Sequence, residues 1–79
     1  MTEVIIVAPS RGAWTVGQWA KNRPQIFRSG ATAQAAARQL GDAIARGGKP
    51  AEVQILMRDG SVAERFVFPA LSDPEKSAP

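Results

Sequence analysis

The chain has 79 residues and a formal net charge of +3, a length that suits one domain and is too short for two. It contains no cysteine and no histidine, which excludes disulfides, thiolate or imidazole metal sites, and Ser-His or Cys-His nucleophile pairs. Hydrophobic residues make up 44% and charged residues 22% of the sequence, values typical of a folded globular domain.

A hairpin is predicted near the N-terminus. Residues 4–8 are a continuous aliphatic run, which is typical of a strand that lies inside a sheet. A turn at residues 9–12, with the sequence Pro-Ser-Arg-Gly, leads to a second strand at residues 13–19. Residues 25–27 are a candidate for a short third strand at the edge of the sheet.

One helix is predicted over residues 31–46, which are rich in the strongest helix formers. Ser29 suits the N-cap position because its hydroxyl can accept a hydrogen bond from an amide of the first turn. The Gly47-Gly48 pair ends the helix. Apolar residues at spacings of three and four form a stripe of mostly small side chains: Ala33, Ala36, Ala37, Leu40, Ala43 and Ile44.

A second hairpin is predicted where Asp59-Gly60 separates strand patterns at residues 51–57 and 61–68. A two-residue turn at that point pairs Met57 with Val62, Leu56 with Ala63, Ile55 with Glu64, Gln54 with Arg65 and Val53 with Phe66. One face of this hairpin then carries Val53, Ile55, Met57, Val62, Phe66 and Phe68, and the other carries Leu56, Ala63 and Val67.

These elements predict an α+β domain over residues 1–70, followed by a flexible C-terminal tail at residues 71–79. Two β-hairpins form one mainly antiparallel sheet in the order β-β-α-β-β, and the single helix packs on one face. The side chains expected beneath the helix are Trp14, Val16, Val53, Ile55, Met57 and Phe66.

Several short motifs occur in a particular order: Gly12-Ala13-Trp14-Thr15-Val16, Phe27-Arg28-Ser29, Ala37-Arg38-Gln39-Leu40, Glu52-Val53-Gln54-Ile55 and Arg58-Asp59-Gly60-Ser61-Val62. This order resembles the small bacterial domain of unknown function 2188 over roughly residues 4–66. The resemblance implies a strand-strand-helix-strand-strand unit and no established activity, so no functional residue is carried over. The chain departs from the family pattern at residues 17–24 and 47–50.

The residue pattern favours a protein that is not an enzyme and has no cofactor. The seven acidic residues recur in no spacing that ligates calcium or pairs two acids. The glycines form no phosphate-binding loop, and the serines lack a histidine or Ser-x-x-Lys partner. The longest apolar run, residues 4–9, is too short to cross a membrane, and residues 1–3 offer no basic start of a signal peptide. We therefore expect a cytoplasmic protein with no membrane partner and identify no small-molecule substrate.

Self-association is the function that the pattern favours. A single helix covers one face of a sheet, and the other face then needs a partner to cover its apolar side chains. Strand alternation predicts that Ile5, Val7, Leu56 and Val67 occupy this uncovered face and contribute to a homodimer interface. The protein is interpreted as a small binding or assembly module.

Nucleic-acid binding is the alternative function. Its candidate residues are Arg11, Trp19, Lys21, Arg23 and Arg28. An indole beside several cations suits stacking on an unpaired base and holding its phosphates. The structural interpretation of the same pattern is a tryptophan covered by the aliphatic stems of lysine and arginine, which is a common arrangement. The basic composition permits this partner without identifying it.

Overall fold

Five strands and one helix make up residues 2–18 and 24–71, the part of the chain described by the computed structural model. In chain order the elements are β1 (Glu3–Ser10), β2 (Ala13–Gln18), β3 (Gln25–Phe27), α1 (Gly30–Arg46), β4 (Ala51–Leu56) and β5 (Val62–Phe68). The strands form one sheet in the order β3-β2-β1-β4-β5. The predicted α+β class and both predicted hairpins are confirmed, as is the short edge strand.

The two central strands of the sheet run parallel. β1 pairs antiparallel with β2, β2 with β3, and β4 with β5, so the prediction of a mainly antiparallel sheet is confirmed. Between the hairpins, β1 and β4 lie side by side in parallel, with Ile5 opposite Val53 and Val7 opposite Ile55. The sheet is therefore mixed, and β1 lies at its centre.

Capping interactions fix both ends of α1. At the N-terminus the Ser29 hydroxyl accepts a hydrogen bond from the Thr32 amide at 3.1 Å, which confirms the predicted N-cap. At the C-terminus it is Gly48, with φ of +95°, that takes the left-handed conformation. The Ala45 carbonyl accepts from the Gly48 amide at 3.0 Å and from the Leu71 amide at 2.9 Å, so a carbonyl of the last turn that has no partner within the helix is satisfied.

The core lies where α1 packs on β1, β2 and β4. Its buried residues are Ile5, Val7, Val16, Ala33, Ala37, Val53 and Ile55, surrounded by the partly buried Trp14, Phe27, Leu40, Ile44, Phe66 and Phe68. The predicted side chains beneath the helix are thus confirmed, except for Met57. Met57 is 55% exposed, because β4 ends at Leu56 and Met57 lies beside the turn that follows.

The buried stripe of α1 differs from the predicted one at its C-terminal half. Its buried residues are Ala33, Ala37, Gly41 and Ala45, each four positions after the last. Ala43, which the sequence placed on the stripe, is exposed. The smallest side chains thus occupy the line of closest approach to the sheet, because they let the helix axis lie near the strands.

The predicted placement of Ile5 and Val7 on the uncovered face is wrong. Both side chains are fully buried in the core beneath α1. They pair with Val53 and Ile55 across the parallel ladder, and directly opposite residues share a face of the sheet. All residues from 4 to 8 are apolar, so alternation within β1 could not distinguish one face from the other.

The β4–β5 register is confirmed away from the turn and shifted beside it. Val53 pairs with Phe66, Gln54 with Arg65 and Ile55 with Glu64, as predicted, but Leu56 pairs with Val62. The turn contains three residues rather than two, since the Gly60 amide donates to the Met57 carbonyl and the Met57 amide donates to the Ser61 carbonyl. Ala63 is left as a bulge, and Val62 lies on the same face as Leu56, contrary to prediction.

Asp59 stabilises this turn through Ser61. Its carboxylate accepts hydrogen bonds from the Ser61 hydroxyl at 2.6 Å and from the Ser61 amide at 2.9 Å. These bonds, the hydroxyl bond foremost, hold the pKa of Asp59 below its ordinary value. Because the folded-state pKa is lowered, the stabilisation is present above the ordinary carboxyl pKa and is lost as pH falls through the folded-state pKa.

Gly60 provides a first test of the turn. Its φ is +89°, and no neighbouring atom lies within 4 Å of the position a Cβ would take, so any penalty for a side chain there is conformational. We expect Gly60→Val to lower the free energy of unfolding by more than about 1 kcal/mol in thermal unfolding. Gly60→Asn is the control and should lose less, because asparagine tolerates the left-handed conformation. An unchanged midpoint for the valine variant would contradict this turn.

Candidate functional site

The face of the sheet opposite α1 has no helix on it in the described part of the chain, and we refer to it as the open face. Strand register assigns to it the aliphatic residues Val4, Ile6, Ala8, Ile26, Leu56, Val62 and Val67, together with Thr15 and the polar residues Glu52, Gln54 and Arg65. Aliphatic side chains therefore occur on every strand of this face, with β2 contributing only the small Ala13 beside Thr15, which lies between Ala8 and Ile26.

Exposed hydrophobic side chains concentrate on the open face. Five large hydrophobic residues are exposed in the described ranges: Ile26, Met57, Val62, Val67 and Leu71. Of these, Ile26, Val62 and Val67 lie on the open face, with exposures of 74%, 43% and 65%. Because Ile26 is on β3 and Val67 on β5, apolar surface reaches both edges of the sheet.

The charged groups in the polar cluster of the open face neutralise each other. The Gln54 amide donates a hydrogen bond to the Glu52 carboxylate. Arg65 places its Nε 3.5 Å from the same carboxylate. One carboxylate and one guanidinium give this cluster no net charge, so a partner could cover it without burying an unpaired ion.

The predicted interface residues divide between the two faces of the sheet. Leu56 and Val67 lie on the open face, whereas Ile5 and Val7 lie in the core. The β1 residues that replace them are Val4 and Ile6, which are half-buried. Ile26 and Val62 were not among the candidates either. Ile26 belongs to a strand of three residues, which is too short to show an alternating pattern. Val62 was predicted on the opposite face, and the irregular pairing at Ala63 goes with its position on the open face.

Only two of the predicted nucleic-acid-binding residues belong to the described part of the chain. Trp19, Lys21 and Arg23 lie outside it. Arg11 is in the β1–β2 turn, and Arg28 directly follows β3. Both lie at the same end of the sheet, since Trp14 near the turn pairs with Phe27.

Within residues 2–18 and 24–71, no three acidic side chains come together as a possible metal-ion site. The single helix of those residues lacks the length and apolar character needed to cross a bilayer. Comparison with known proteins gives no match to a family model, to a curated protein or to a solved structure. Function is therefore inferred from the geometry of the described residues.

Proposed function

We propose that this protein is a non-enzymatic assembly module that forms a homodimer through its open face. The observation that supports this proposal is the position of Ile26, Val62 and Val67, the three exposed large hydrophobic residues that share one face of the sheet. Scattered single hydrophobic residues are ordinary on protein surfaces, but several on one flat face are typical of an interface.

The layer arrangement explains why this face needs a cover. A sheet buries its apolar side chains by packing on a second layer, and α1, with 17 residues, covers one side. Val4, Ile6 and Leu56 remain half-buried on the other side. Covering them with a second copy contributes about 25 cal/mol for each Å² of apolar surface removed from water.

The size of the open face fits a second copy of the chain. Five strands about 4.8 Å apart, each with about six residues rising about 3.3 Å, give a face of about 24 by 20 Å. Two copies would bury on the order of 1,000 Å² in total, which is the lower limit of specific interfaces. We therefore expect a reversible dimer of modest affinity with a twofold axis.

The proposal is tested with charged substitutions on the open face. Ile26→Glu combined with Val67→Glu should convert the dimer to a monomer, because both sites are exposed enough for the monomer to fold but would bury carboxylates in the interface. The control combines Ala35→Glu with Ala43→Glu, which adds the same charge on the exposed surface of α1. Light scattering at several hundred micromolar protein should give the dimer mass for the parent and for the control.

Thermal unfolding gives a second measurement of the same dimer. The midpoint of the parent should rise with protein concentration, because dissociation is part of unfolding. The double variant should lose this concentration dependence, and the control should keep it. A parent that is monomeric at these concentrations, with a constant midpoint, would contradict the proposed function.

A further inference from the structure

A crevice opens at the end of the sheet where β1 and β4 finish. These strands are parallel neighbours, and the chain leaves them in opposite directions, from β1 outwards to β2 and from β4 outwards to β5. In open parallel α/β sheets, ligands bind beyond the carboxyl ends of the strands where neighbouring connections diverge, and the two diverging hairpins leave a comparable space here. The crevice has a volume of about 760 Å³, within the range of about 300–1,000 Å³ found for small-molecule sites.

Each rim of the crevice carries one arginine. Arg11 belongs to the β1–β2 turn and Arg58 to the β4–β5 turn, and both line the space between the turns. Neither guanidinium forms an ion pair with a carboxylate of residues 2–18 or 24–71. Guanidinium groups bind carboxylate and phosphate oxygens through short, charge-assisted hydrogen bonds, so each rim offers donors to an oxyanion in the crevice.

The lining of the crevice is mixed, with apolar side chains beside polar and charged ones. Trp14, Ile55 and Leu56 line it, and Gln34 reaches it from α1. The Trp14 indole is held against the first residue of the helix, where a Cβ on Gly30 would stand 3.0 Å from the ring. An indole held in place by the helix offers a fixed surface for a flat apolar group.

The charge of the crevice favours a negatively charged ligand. Glu64 is its one acidic lining residue, so two guanidinium groups and one carboxylate leave a net charge of +1. Arg28 lies at the same end of the sheet and adds to the positive potential there. The Glu64 carboxylate remains an acceptor for an N–H group of the ligand.

We infer that this crevice binds a small amphipathic anion, consisting of a flat aromatic body with one carboxylate or phosphate group. Arg11 and Arg58 bind the oxyanion, Trp14 and the aliphatic residues contact the ring, and Glu64 accepts from an N–H group of the ring or of its amino substituent. This site lies at the end of the sheet and does not require the dimer. Leu56 belongs to both this site and the open face, whereas Arg11, Arg58 and Trp14 do not belong to the open face, so we expect the ligand to bind whether or not the open face self-associates.

Four probes test the inference by titration into ¹⁵N-labelled protein. Indole-3-acetate supplies a carboxylate and adenosine monophosphate supplies a phosphate, while indole and adenosine are their neutral counterparts. We expect saturable shifts at the amides of Gly12, Ala13 and Arg58 with at least one anion. That anion should bind at least about tenfold more tightly than its neutral counterpart, the effect of losing a charge-assisted hydrogen bond. The anion that saturates identifies which oxyanion the crevice takes.

A matched pair of double variants tests the arginines. Arg11→Gln with Arg58→Gln should weaken binding of the anion at least about tenfold. The control is Arg46→Gln with Lys49→Gln, which removes the same charge at the opposite end of α1 and should change binding less than about twofold. Amide spectra of both variants without ligand establish that they fold. Equal weakening in both variants, shifts confined to the open face, or no shifts with any probe at several millimolar would each overturn the inference.

Discussion

Replacing Ile5 by alanine is expected to lower the free energy of unfolding by about 2–5 kcal/mol, whereas the same change at the adjacent Ile6 should cost far less. Ile5 has no exposed surface and packs in the core with Val53. Removing its three carbon atoms beyond Cβ leaves a cavity between α1 and the central strands. Ile6 points to the open face and is half-buried, so its truncation leaves no enclosed cavity.

Denaturant unfolding at low micromolar concentration measures both variants as monomers. Small domains have stabilities of about 5–15 kcal/mol, so Ile5→Ala could leave the chain largely unfolded. Ile5→Val, which removes one methyl group and should cost about 0.5–1.5 kcal/mol, keeps the measurement possible in that case. Equal losses at the two positions would contradict the assignment of Ile5 to the core and Ile6 to the open face.

Gly41→Val is expected to lower the free energy of unfolding by about 1–3 kcal/mol because of overpacking. A Cβ on Gly41 would stand 2.9 Å from the ring of Phe68, closer than two carbon atoms can pack. The control is Ala43→Val on the exposed side of the same helix, which should cost about 0.5 kcal/mol from helix propensity alone. Propensity by itself predicts the opposite order, since valine is a better helix former than glycine.

Removing the Phe68 ring tests whether close packing against this ring causes the loss of stability in Gly41→Val. In a chain that carries Phe68→Ala, the penalty for Gly41→Val should shrink, because the added methyl groups enter the space that the ring has left. The four stabilities of this double-mutant cycle come from denaturant unfolding. A Gly41→Val variant at least as stable as the parent would show that Phe68 does not press on the helix at this point.

The parts of the fold that follow from local sequence were predictable. Ser29 before an alanine-rich segment indicates the start of a helix, and Asp59-Gly60 between two strand patterns indicates a hairpin. The exact register beside that hairpin was not predictable, because two-residue and three-residue turns both accommodate Asp-Gly. One added turn residue was enough to move Val62 to the other face.

The parallel pairing of β1 and β4 has no local signal. Glu3 lies opposite Ala51, and nothing in the sequence around either residue specifies the other. Two features depend on that pairing. It decides that Ile5 faces the helix, and it brings the Arg11 and Arg58 turns to the two sides of one crevice. The open face was therefore predicted only in outline, and the crevice could not be predicted from the sequence.

The central position of β1 also has a consequence for the chain during its synthesis. β1, β2 and β3 are close in sequence and can pair within microseconds once they are made. The strand that pairs with the other edge of β1 is β4. It is complete only after α1 and β4 have been synthesised, at about 5–20 residues per second. For a second or more, the most apolar strand of the protein has an unpaired edge and no helix over Ile5 and Val7. Because an unpaired strand edge can pair with another chain, we expect the nascent protein to be most prone to aggregation in this interval, before the centre of the sheet closes.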